Sequence, residues 1–377
     1  MGVLNFSSKR GQNEIHSDFA EREKIQGLKN LNVPNSGNAP KLRFPEFSED
    51  WSYVSLESLA PNISAGKDSS EDGKYNLYGS TGIIGKTKTP TYKGEIVLVA
   101  RVGANAGLLQ YVNDEFGVTD NTLVVNAHEN NKYIYYYLQF YNLNRLVFGS
   151  GQPLITGGML KKIPIGISIG SSEKNKVVEL LSLIDERIGT QNKIIQQLQS
   201  LIKGIVVSVT AETPNTRIDK CLACHSSTLQ ENQIEECGDF PVYGANGICG
   251  YTVNADFNEP AILIVKDGSG VGNVRFVNGK YSVIGTQNIL TSENRFFLKY
   301  IFYCLQAFNF VPYKTGMAIP HIYFKDYGKA KIYCPNFEQQ VKNASQIDLI
   351  ESKIEIETQL LNKYEEQKKF LLSNMFI

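Results

Sequence analysis

The sequence predicts an α+β protein made of two similar β-rich domains, each followed by a long helix with a coiled-coil seam. Three observations predict this fold. A glycine-rich pattern occurs twice, a helical segment with heptad spacing follows each occurrence, and Gly (32), Tyr (20) and Phe (19) are abundant, as suits β structure with tight turns. We therefore expect an internal repeat that spans most of the chain.

Length and composition limit the class of protein. A chain of 377 residues is long enough for two or three domains, and 42% hydrophobic residues can build real cores. Lys+Arg and Asp+Glu are both 38, so the net charge is zero, which argues against a free-standing, charge-driven nucleic-acid binder. It leaves room for a DNA reader whose partner proteins supply much of the attraction to phosphates.

The compartment is predicted from what the sequence lacks. We find no apolar run of about 18 residues and no secretory signal, so we expect no contact with a membrane. The six cysteines then fit reduced thiols in the cytoplasm.

The repeat is seen in matched glycines. Tyr78–Gly85 recurs as Tyr243–Gly250, which is 165 residues later (243 − 78), with the tyrosine and three glycines in common. Ala100–Gly107 matches Val265–Gly272 at the same offset, and each follows an apolar run typical of a buried strand. Such matched glycines indicate matched backbone turns.

The second part of each copy is matched with a shift in register. We align Thr119–Asn121 with Thr286–Asn288, two residues later than the first offset, and Tyr137–Gln139 with Cys304–Gln306. Each copy then closes with a glycine turn, Ser150–Pro153 or Thr315–Ala318.

Both helical segments carry apolar residues in alternating steps of four and three, which predicts a coiled-coil seam. The seam residues assigned here are Ile184, Ile188, Gln191, Ile195 and Leu198 in the first helix, and Ile350, Ile354, Glu357 and Leu361 in the second. The polar residues Gln191 and Glu357 correspond, and a polar seam residue typically fixes register. Alternatively, two amphipathic helices pack on their own domains, but a length of about 35 residues, or roughly 50 Å, argues against this.

These patterns divide the chain into five segments. They are an N-terminal arm or linker over residues 1–40 with at most one short helix near Asp18–Leu31, a first domain over 41–170, a central spacer helix over 171–210, a second domain over 211–335, and a C-terminal spacer helix over 336–377.

The order of domain, long helix, domain and long helix resembles the specificity subunits of Type I restriction-modification enzymes. The likeness covers residues 41–377 and depends on the duplicated arrangement more than on any one motif. Local sequences that are similar to this family are Pro40–Phe47 with Trp51, Gly149–Pro153, Gln199–Lys203 and Glu366–Phe376.

The resemblance implies a function and partners. Each domain would be a target-recognition domain that reads one half of a split, asymmetric site in double-stranded DNA. The spacer helices would pack antiparallel, with a pseudo-twofold relation between the halves, and would set the gap between the half-sites. Two methyltransferase subunits, and in some systems motor-nuclease subunits, would bind this chain. Adenine methylation and DNA cleavage would belong to those partners, together with S-adenosylmethionine, ATP and Mg, so this chain would hold no catalytic residue, metal or cofactor.

Candidate DNA-contacting residues are the Arg, Lys, Asn, Gln and His side chains that the repeated loops present, since such side chains read base edges. They are Lys86, Lys88, Arg101, Asn105, Asn121 and Gln152 in the first copy, and Asn246, Lys266, Asn273, Gln287, Asn288, Lys314 and His321 in the second. Each alone is equally consistent with a solvated loop residue. Arg101 and Lys266 are stronger because they occupy equivalent positions, whereas Val102–Asn105 and Asp267–Gly270 differ as two half-sites would require.

Other motifs were weighed against this function. The sequence Cys221-Leu222-Ala223-Cys224-His225 matches a c-type haem attachment pattern, and Cys237 and Cys249 could complete a zinc site. The repeat aligns Cys221 and Cys224 with Leu56 and Leu59, which favours apolar core positions instead. Gly268–Gly272 lacks the spacing of a dinucleotide-binding loop.

Three alternatives remain for the function. A small-molecule enzyme with a duplicated domain would need matched titratable residues, which we do not find. A coiled-coil scaffold protein would not need divergent glycine loops. A stand-alone DNA-binding repressor would be expected to show a basic face.

Overall fold

We analysed a computed structural model, which describes residues 39–147, 153–168, 170–234, 238–292, 295–317 and 319–377. The chain forms two compact units. Unit 1 comprises Met1–Thr190 and Leu361–Ile377, and unit 2 comprises Gln191–Leu360. The predicted arm and its short helix near Asp18–Leu31 lie outside the described residues, apart from residues 39 and 40.

Unit 1 is built on a sheet that one tyrosine-rich helix covers. Its elements are β1 (Trp51–Ser55), α1 (Leu56–Leu59), β2 (Ser64–Ala65), β3 (Tyr75–Gly79), β4 (Gly82–Thr87), β5 (Tyr92–Ala100), β6 (Leu109–Val118), β7 (Thr122–Val125), α2 (Asn131–Tyr141), α3 (Gly157–Lys161), β8 (Pro164–Ser168) and the start of α4 (Ser171–Thr210).

The strand order in unit 1 is β2-β7-β5-β6-β3-β4, antiparallel except for the pair β3 and β6, with β1 and β8 forming a separate antiparallel pair. Strand β5 is buried on both faces. Val97 and Val99 pack towards α2, whereas Ile96 and Leu98 pack with Phe116 on the other face. This two-sided burial explains the unbroken apolar run in the sequence.

Unit 2 follows the same path. Its elements are β9 (Thr216–Arg217), α5 (Ile218–Cys221), β10 (Leu222–Ser226), β11 (Phe240–Gly244), β12 (Gly247–Thr252), β13 (Ala261–Val265), β14 (Val274–Val277), β15 (Ser282–Val283), β16 (Gln287–Ser292), α6 (Leu298–Ala307), α7 (Phe324–Tyr327), β17 (Lys331–Ile332) and α8 (Phe337–Asn374).

Strands β14 and β15 together take the place of β6. Strand β14 pairs with β13 as β6 pairs with β5, and β15 runs parallel to β11 as β6 does to β3. The strand is interrupted at Asn278–Lys280, where Gly279 has a positive φ of 84° that favours glycine and breaks the extended backbone.

The internal repeat is confirmed, because the same backbone hydrogen bonds recur in both units. The Gly107 amide donates to the Ala100 carbonyl as Gly272 donates to Val265. The Arg101 amide donates to the Asn121 carbonyl as the Lys266 amide donates to that of Thr286. The Thr119 amide donates to the Tyr78 carbonyl as the Ile284 amide donates to that of Tyr243. The residue numbers of equivalent positions differ by 165 (265 − 100).

The predicted match of Thr119–Asn121 with Thr286–Asn288 is therefore wrong. Asn121 corresponds to Thr286, and the two extra residues enter later, between the sheet and the aromatic helix. Tyr133 donates to the Gly166 carbonyl, and Tyr300 donates to the Tyr333 carbonyl, which sets the later offset at 167 (300 − 133). At that offset the predicted match of Tyr137–Gln139 with Cys304–Gln306 is confirmed.

The aromatic helices α2 and α6 join each sheet to a long helix. The Tyr136 hydroxyl donates to Asp185 of α4 at 2.8 Å, and Tyr303 donates to Asp348 of α8 at 2.6 Å. Burial raises the pKa of both hydroxyl groups, so these tyrosines stay protonated and act as donors.

The long helices contact each other within each unit. In unit 1, Lys368 of α8 pairs with Asp185 of α4 at 2.7 Å, and Tyr364 lies under the Arg187 guanidinium. Asp185 and Arg187 follow each other along α4, whereas their partners Lys368 and Tyr364 occur in the reverse order along α8. The two helices therefore run antiparallel there. In unit 2, the buried Gln191 donates to the backbone oxygen of Glu357 at 3.1 Å and to its carboxylate.

The predicted seam residues are all at least half-buried. Ile184, Gln191 and Glu357 are buried, whereas the others are half-buried: Ile188, Ile195, Leu198, Ile350, Ile354 and Leu361. Hydrogen bonds from Lys353 and Gln191 hold the pKa of the Glu357 carboxyl below its ordinary value, which keeps this polar seam group ionised.

A buried ion pair anchors the start of α4 in unit 1. The Arg43 Nε lies 2.6 Å from Glu173 Oε1, and Trp51 Nε1 donates to Glu173 Oε2 at 3.0 Å. In unit 2 the corresponding residue is the uncharged Gln340, which accepts from the Phe297 amide and donates to the Pro335 carbonyl.

In the described ranges, no helix is long and apolar enough to cross a membrane.

We predict that Glu173→Ala destabilises unit 1 by about 3 kcal/mol, because it leaves the buried Arg43 charge without its carboxylate partner. Urea unfolding followed by the fluorescence of Trp51, the single tryptophan, reports on this unit. Glu115→Ala is the matched control, since it breaks the exposed Lys93–Glu115 pair and is expected to cost under about 1 kcal/mol. Equal losses in the two variants would contradict the prediction.

Candidate nucleic-acid interface

Both units present a loop of the same geometry where their central strand ends. We define the strand-end loop as Arg101–Gly107 with Pro153–Ile155 in unit 1, and Lys266–Gly272 with Pro320–Ile322 in unit 2. The first glycine of each has a positive φ, 75° at Gly103 and 95° at Gly268, a conformation that favours glycine.

The returning segment is held to the strand end by two backbone hydrogen bonds in each unit. In unit 1, Gly103 donates to Pro153 at 3.0 Å and Ile155 donates to Arg101 at 2.8 Å. In unit 2, Gly268 donates to Pro320 at 3.0 Å and Ile322 donates to Lys266 at 2.9 Å. Side chains on this loop are therefore held on rigid backbone that continues a buried strand.

Arg101 is the most informative candidate in unit 1. Its Nη1 donates to the Asp120 carbonyl at 3.4 Å, whereas its buried Nε has no hydrogen-bond acceptor among the described residues. A buried donor without a partner is costly, and an anionic ligand would satisfy it. Lys266 occupies the equivalent position in unit 2 and is half-buried.

Several other candidates lie in or beside the strand-end loops. Asn105 and Asn121 are exposed beside Arg101, and the Asn121 carbonyl accepts the Arg101 amide. In unit 2, Asn273 directly follows the glycine turn and is exposed. His321 lies on the returning segment, where it exchanges two backbone hydrogen bonds with Thr315, the residue after the exposed Lys314.

The remaining exposed candidates lie on the β3–β4 and β11–β12 hairpins. Asn246 is exposed in the turn of the second hairpin. Lys86 and Lys88 lie at the opposite end of β4 from its turn, and Lys86 donates to Asn76 at 2.7 Å. The structure thus does not bring these two lysines to the strand-end loop. Gln152 lies outside the described residues.

Gln287 and Asn288 are a correction to the candidate set. Both are buried, and the side-chain amide of Gln287 donates to the Tyr243 carbonyl at 2.9 Å, while that of Asn288 donates to the Tyr327 hydroxyl at 3.0 Å. Their side chains hold strand β16 in place. They point to opposite faces of the sheet, and both are buried because apolar clusters cover both faces of this strand. We therefore remove both from the set of base-reading residues.

Both units match the same known protein family. A family model described as the Type I restriction modification DNA specificity domain matches residues 48–200 and again residues 224–366. The chain belongs to the Type I restriction modification DNA specificity domain family.

Known proteins are similar to this chain in length and fold. A Mycoplasma genitalium protein assigned as a type I specificity subunit is 24% identical over 348 residues, which cover 81% of this chain and 87% of the relative. The crystal structure of a Type I restriction-modification S subunit from M. genitalium superposes with a TM-score of 0.64 at 18% identity, covering 90% of this chain and 99% of that one. A structure from work on complex assembly of the type I system gives a TM-score of 0.54 at 13% identity, covering 86% and 98%. The last two likenesses establish a shared fold.

The cysteines of this specificity-domain protein occupy varied positions. Cys221 is buried in the core, with its Sγ 3.8 Å from that of Cys334, whereas Cys224 is half-buried and Cys249 is exposed.

The predicted alignment of Cys221 with Leu56 is wrong. The Ile218 amide donates to Ala330 as the Leu56 amide donates to Ile163, so Ile218 matches Leu56. No metal-binding cluster of three or more His, Cys, Asp or Glu occurs among the described residues, and Cys237 lies outside them.

Three exposed apolar residues near the candidate interface are not among the residues predicted from the sequence, which are all polar. Ile83 and Ile248 are equivalent hairpin residues, exposed by 56% and 52%. Met317 is fully exposed between Thr315 and His321. The match of Ile83 with Ile248 inside the repeated glycine pattern was a signal that could have identified the first two.

We predict that Gln287→Ala and Asn288→Ala each lower the free energy of unfolding by about 1–2 kcal/mol, because each leaves a buried polar partner unsatisfied. Thermal unfolding by circular dichroism measures the effect. Asn246→Ala is the control, since that exposed residue is expected to change stability by less than about 0.5 kcal/mol. Unchanged stability with loss of DNA binding would return Gln287 and Asn288 to the base-reading set.

Proposed function

We propose that this chain is the non-catalytic, sequence-reading subunit of a Type I restriction-modification complex. Each unit reads one half of a split, asymmetric site in double-stranded DNA. The observation that carries the proposal is a strand-end loop with the same backbone in both units and different side chains on it. Equivalent rigid loops with different chemistry suit the recognition of two different half-sites.

The proposed segments follow the sequence prediction. Residues 41–170 and 211–335 are the two target-recognition domains, 171–210 and 336–377 are the spacer helices, and 1–40 form an N-terminal arm. Within this proposal the number of helical residues in the spacers sets the gap between the half-sites.

Arg101 and Lys266 are the proposed main contacts to DNA. A half-buried cation at the end of a buried strand has little rotamer freedom to lose on binding, and the unsatisfied Arg101 Nε favours an anionic or acceptor partner. Further donors and acceptors come from residues in or beside the strand-end loops: Asn105, Asn121, Asn273, Lys314 and His321. Asn246, in the turn of the β11–β12 hairpin, is proposed as another contact. Gln152, Lys86 and Lys88 are proposed as peripheral contacts.

The proposal assigns the chemistry to partner proteins. Two methyltransferase subunits, with or without motor-nuclease subunits, bind this chain, and they hold S-adenosylmethionine, ATP and Mg. Helix α8 carries exposed apolar residues that suit protein contacts: Leu349 and Ile356 in unit 2, exposed by 73% and 58%, are seven residues apart. Phe370 in unit 1 is also exposed. The zero net charge is consistent with partners that supply part of the attraction to phosphates.

The decisive experiment is a genome-wide map of methylated adenines in cells that express this chain with its methyltransferase subunit, compared with cells in which this gene is deleted. A split, asymmetric motif that disappears on deletion is the expected result. An unchanged pattern with an active methyltransferase would contradict the proposal and favour a stand-alone DNA-binding protein or a coiled-coil scaffold.

We predict that four residues inserted within Ile188–Ile205 of α4, with a matching insertion in α8, lengthen the gap in the motif. Four helical residues add about 6 Å, and B-DNA rises about 3.4 Å per base pair, so the gap should grow by about two base pairs. The half-sites themselves should not change. A motif with its original gap would show that these helices do not set the spacing.

A further inference from the structure

The strand-end loops differ at one pair of facing residues. A β-bridge joins Val102 to Leu154 in unit 1, and the equivalent bridge joins Asp267 to His321 in unit 2. The backbone hydrogen bonds that flank the two bridges correspond one to one. Val102 is therefore equivalent to Asp267, and Leu154 is equivalent to His321. The backbone is shared, and only the side-chain chemistry changes.

The pair faces away from the core in each unit. Ile155 and Ile322, the next residues on the returning segments, are fully buried. Because side chains alternate along extended backbone, Leu154 and His321 point to the opposite face. Leu154 is 43% exposed, and Val102, Asp267 and His321 are half-exposed. Residues that face each other across a bridge project to the same side, so each pair forms one small surface.

The two surfaces match different base pairs. In the major groove, thymine carries a C5-methyl group that apolar side chains contact, and cytosine carries an N4 amino group that a carboxylate accepts. Guanine presents the acceptors O6 and N7, to which an imidazole N–H can donate. The apolar Val102–Leu154 surface therefore suits an A·T pair, and the Asp267–His321 surface suits a C·G pair.

The surroundings of the Asp267–His321 pair favour DNA as the ligand. Asp267 and His321 are half-exposed, and Met317, which lies between Thr315 and His321 in the chain, is fully exposed, so a large partner can reach the pair. Lys266 is adjacent in sequence to Asp267, and Lys314 precedes Thr315, which is hydrogen-bonded to His321. Lysines beside a polar surface can contact the phosphates that flank the base pair being read.

We propose that these facing pairs are specificity-determining residues. Val102 and Leu154 select a thymine through its methyl group in one half-site, and Asp267 and His321 select a C·G pair in the other. The inference rests on the proposed function, and it names base identities that the proposed function does not.

The first test exchanges the pairs. Val102→Asp with Leu154→His gives unit 1 the chemistry of unit 2, and Asp267→Val with His321→Leu does the reverse. Methylated adenines are mapped for each variant expressed with its methyltransferase subunit. We expect each exchange to change the preferred base at one position of one half-site and to leave the other half-site unaltered. Lys93→Ala with Glu115→Ala is the control, because this exposed ion pair joins β5 to β6 away from the loop.

The second test uses the unaltered chain, so it does not depend on the folding of the exchange variants. The complex with its methyltransferase subunit is titrated with target duplexes in which single thymines are replaced by deoxyuridine, which lacks the methyl group. One replacement, in the half-site that unit 1 reads, should weaken binding about fourfold, the contribution of one buried methyl group. The Leu154→Ala variant should bind the duplex with this replacement and the unmodified duplex almost equally.

The outcomes separate this inference from the proposed function. If the unaltered chain directs no split motif, the proposed function is wrong. If the motif is present but no deoxyuridine replacement weakens binding, or if the exchanges leave both half-sites as they were, the proposed function stands and the specificity pairs are wrong.

Discussion

The hydroxyl groups of the tyrosine-rich helices are the interactions on which the rest of each unit depends. Tyr133 and Tyr300 reach backbone carbonyls beyond the sheet, and Tyr136 and Tyr303 reach carboxylates on α4 and α8. A buried hydroxyl that loses its partner is costly, so these hydrogen bonds favour the observed orientation of each helix over its sheet. The long helix that follows is thereby fixed to the domain that precedes it. The strand-end loop gains its rigidity from the same core, because β5 and β13 pack directly beneath α2 and α6.

The two copies have kept what positions the loop and changed what the loop presents. Backbone hydrogen bonds around Arg101 and Lys266 are the same, whereas the facing pairs Val102–Leu154 and Asp267–His321 have opposite polarity. The residues that anchor the start of each long helix differ between the units. A buried ion pair of Glu173 with Arg43 in unit 1 is replaced by neutral hydrogen bonds of Gln340 in unit 2. Such tolerance lets each unit vary its surface independently of the other.

Local patterns in the sequence predicted the repeat and the long helices, because matched glycines and heptad spacing report directly on turns and helix faces. Predictions that depended on pairing across long sequence separations were less secure. Similarity of Thr119–Asn121 to Thr286–Asn288 suggested one register, but the pairing of β16 with β13 decides another. Gln287 and Asn288 are buried because both faces of β16 are covered. The offset at Cys221 was misjudged because Ile218, held by the Ala330 carbonyl, begins the short helix. The exposed facing pairs were not separable from ordinary loop residues until the β-bridges identified their partners.

Residues 371–377 complete the core of unit 1, although unit 2 lies between them and the rest of that unit in the chain. Phe376 packs between Tyr133, Tyr137 and Phe140, Tyr137 donates to the main-chain oxygen of Ile377, and Leu42 donates to Asn374. The order of synthesis therefore differs from the order in which the units can mature. The ribosome must translate all of unit 2 before the first domain can close its core. A stop codon upstream of Leu371 would thus expose the aromatic residues of the domain that was made first.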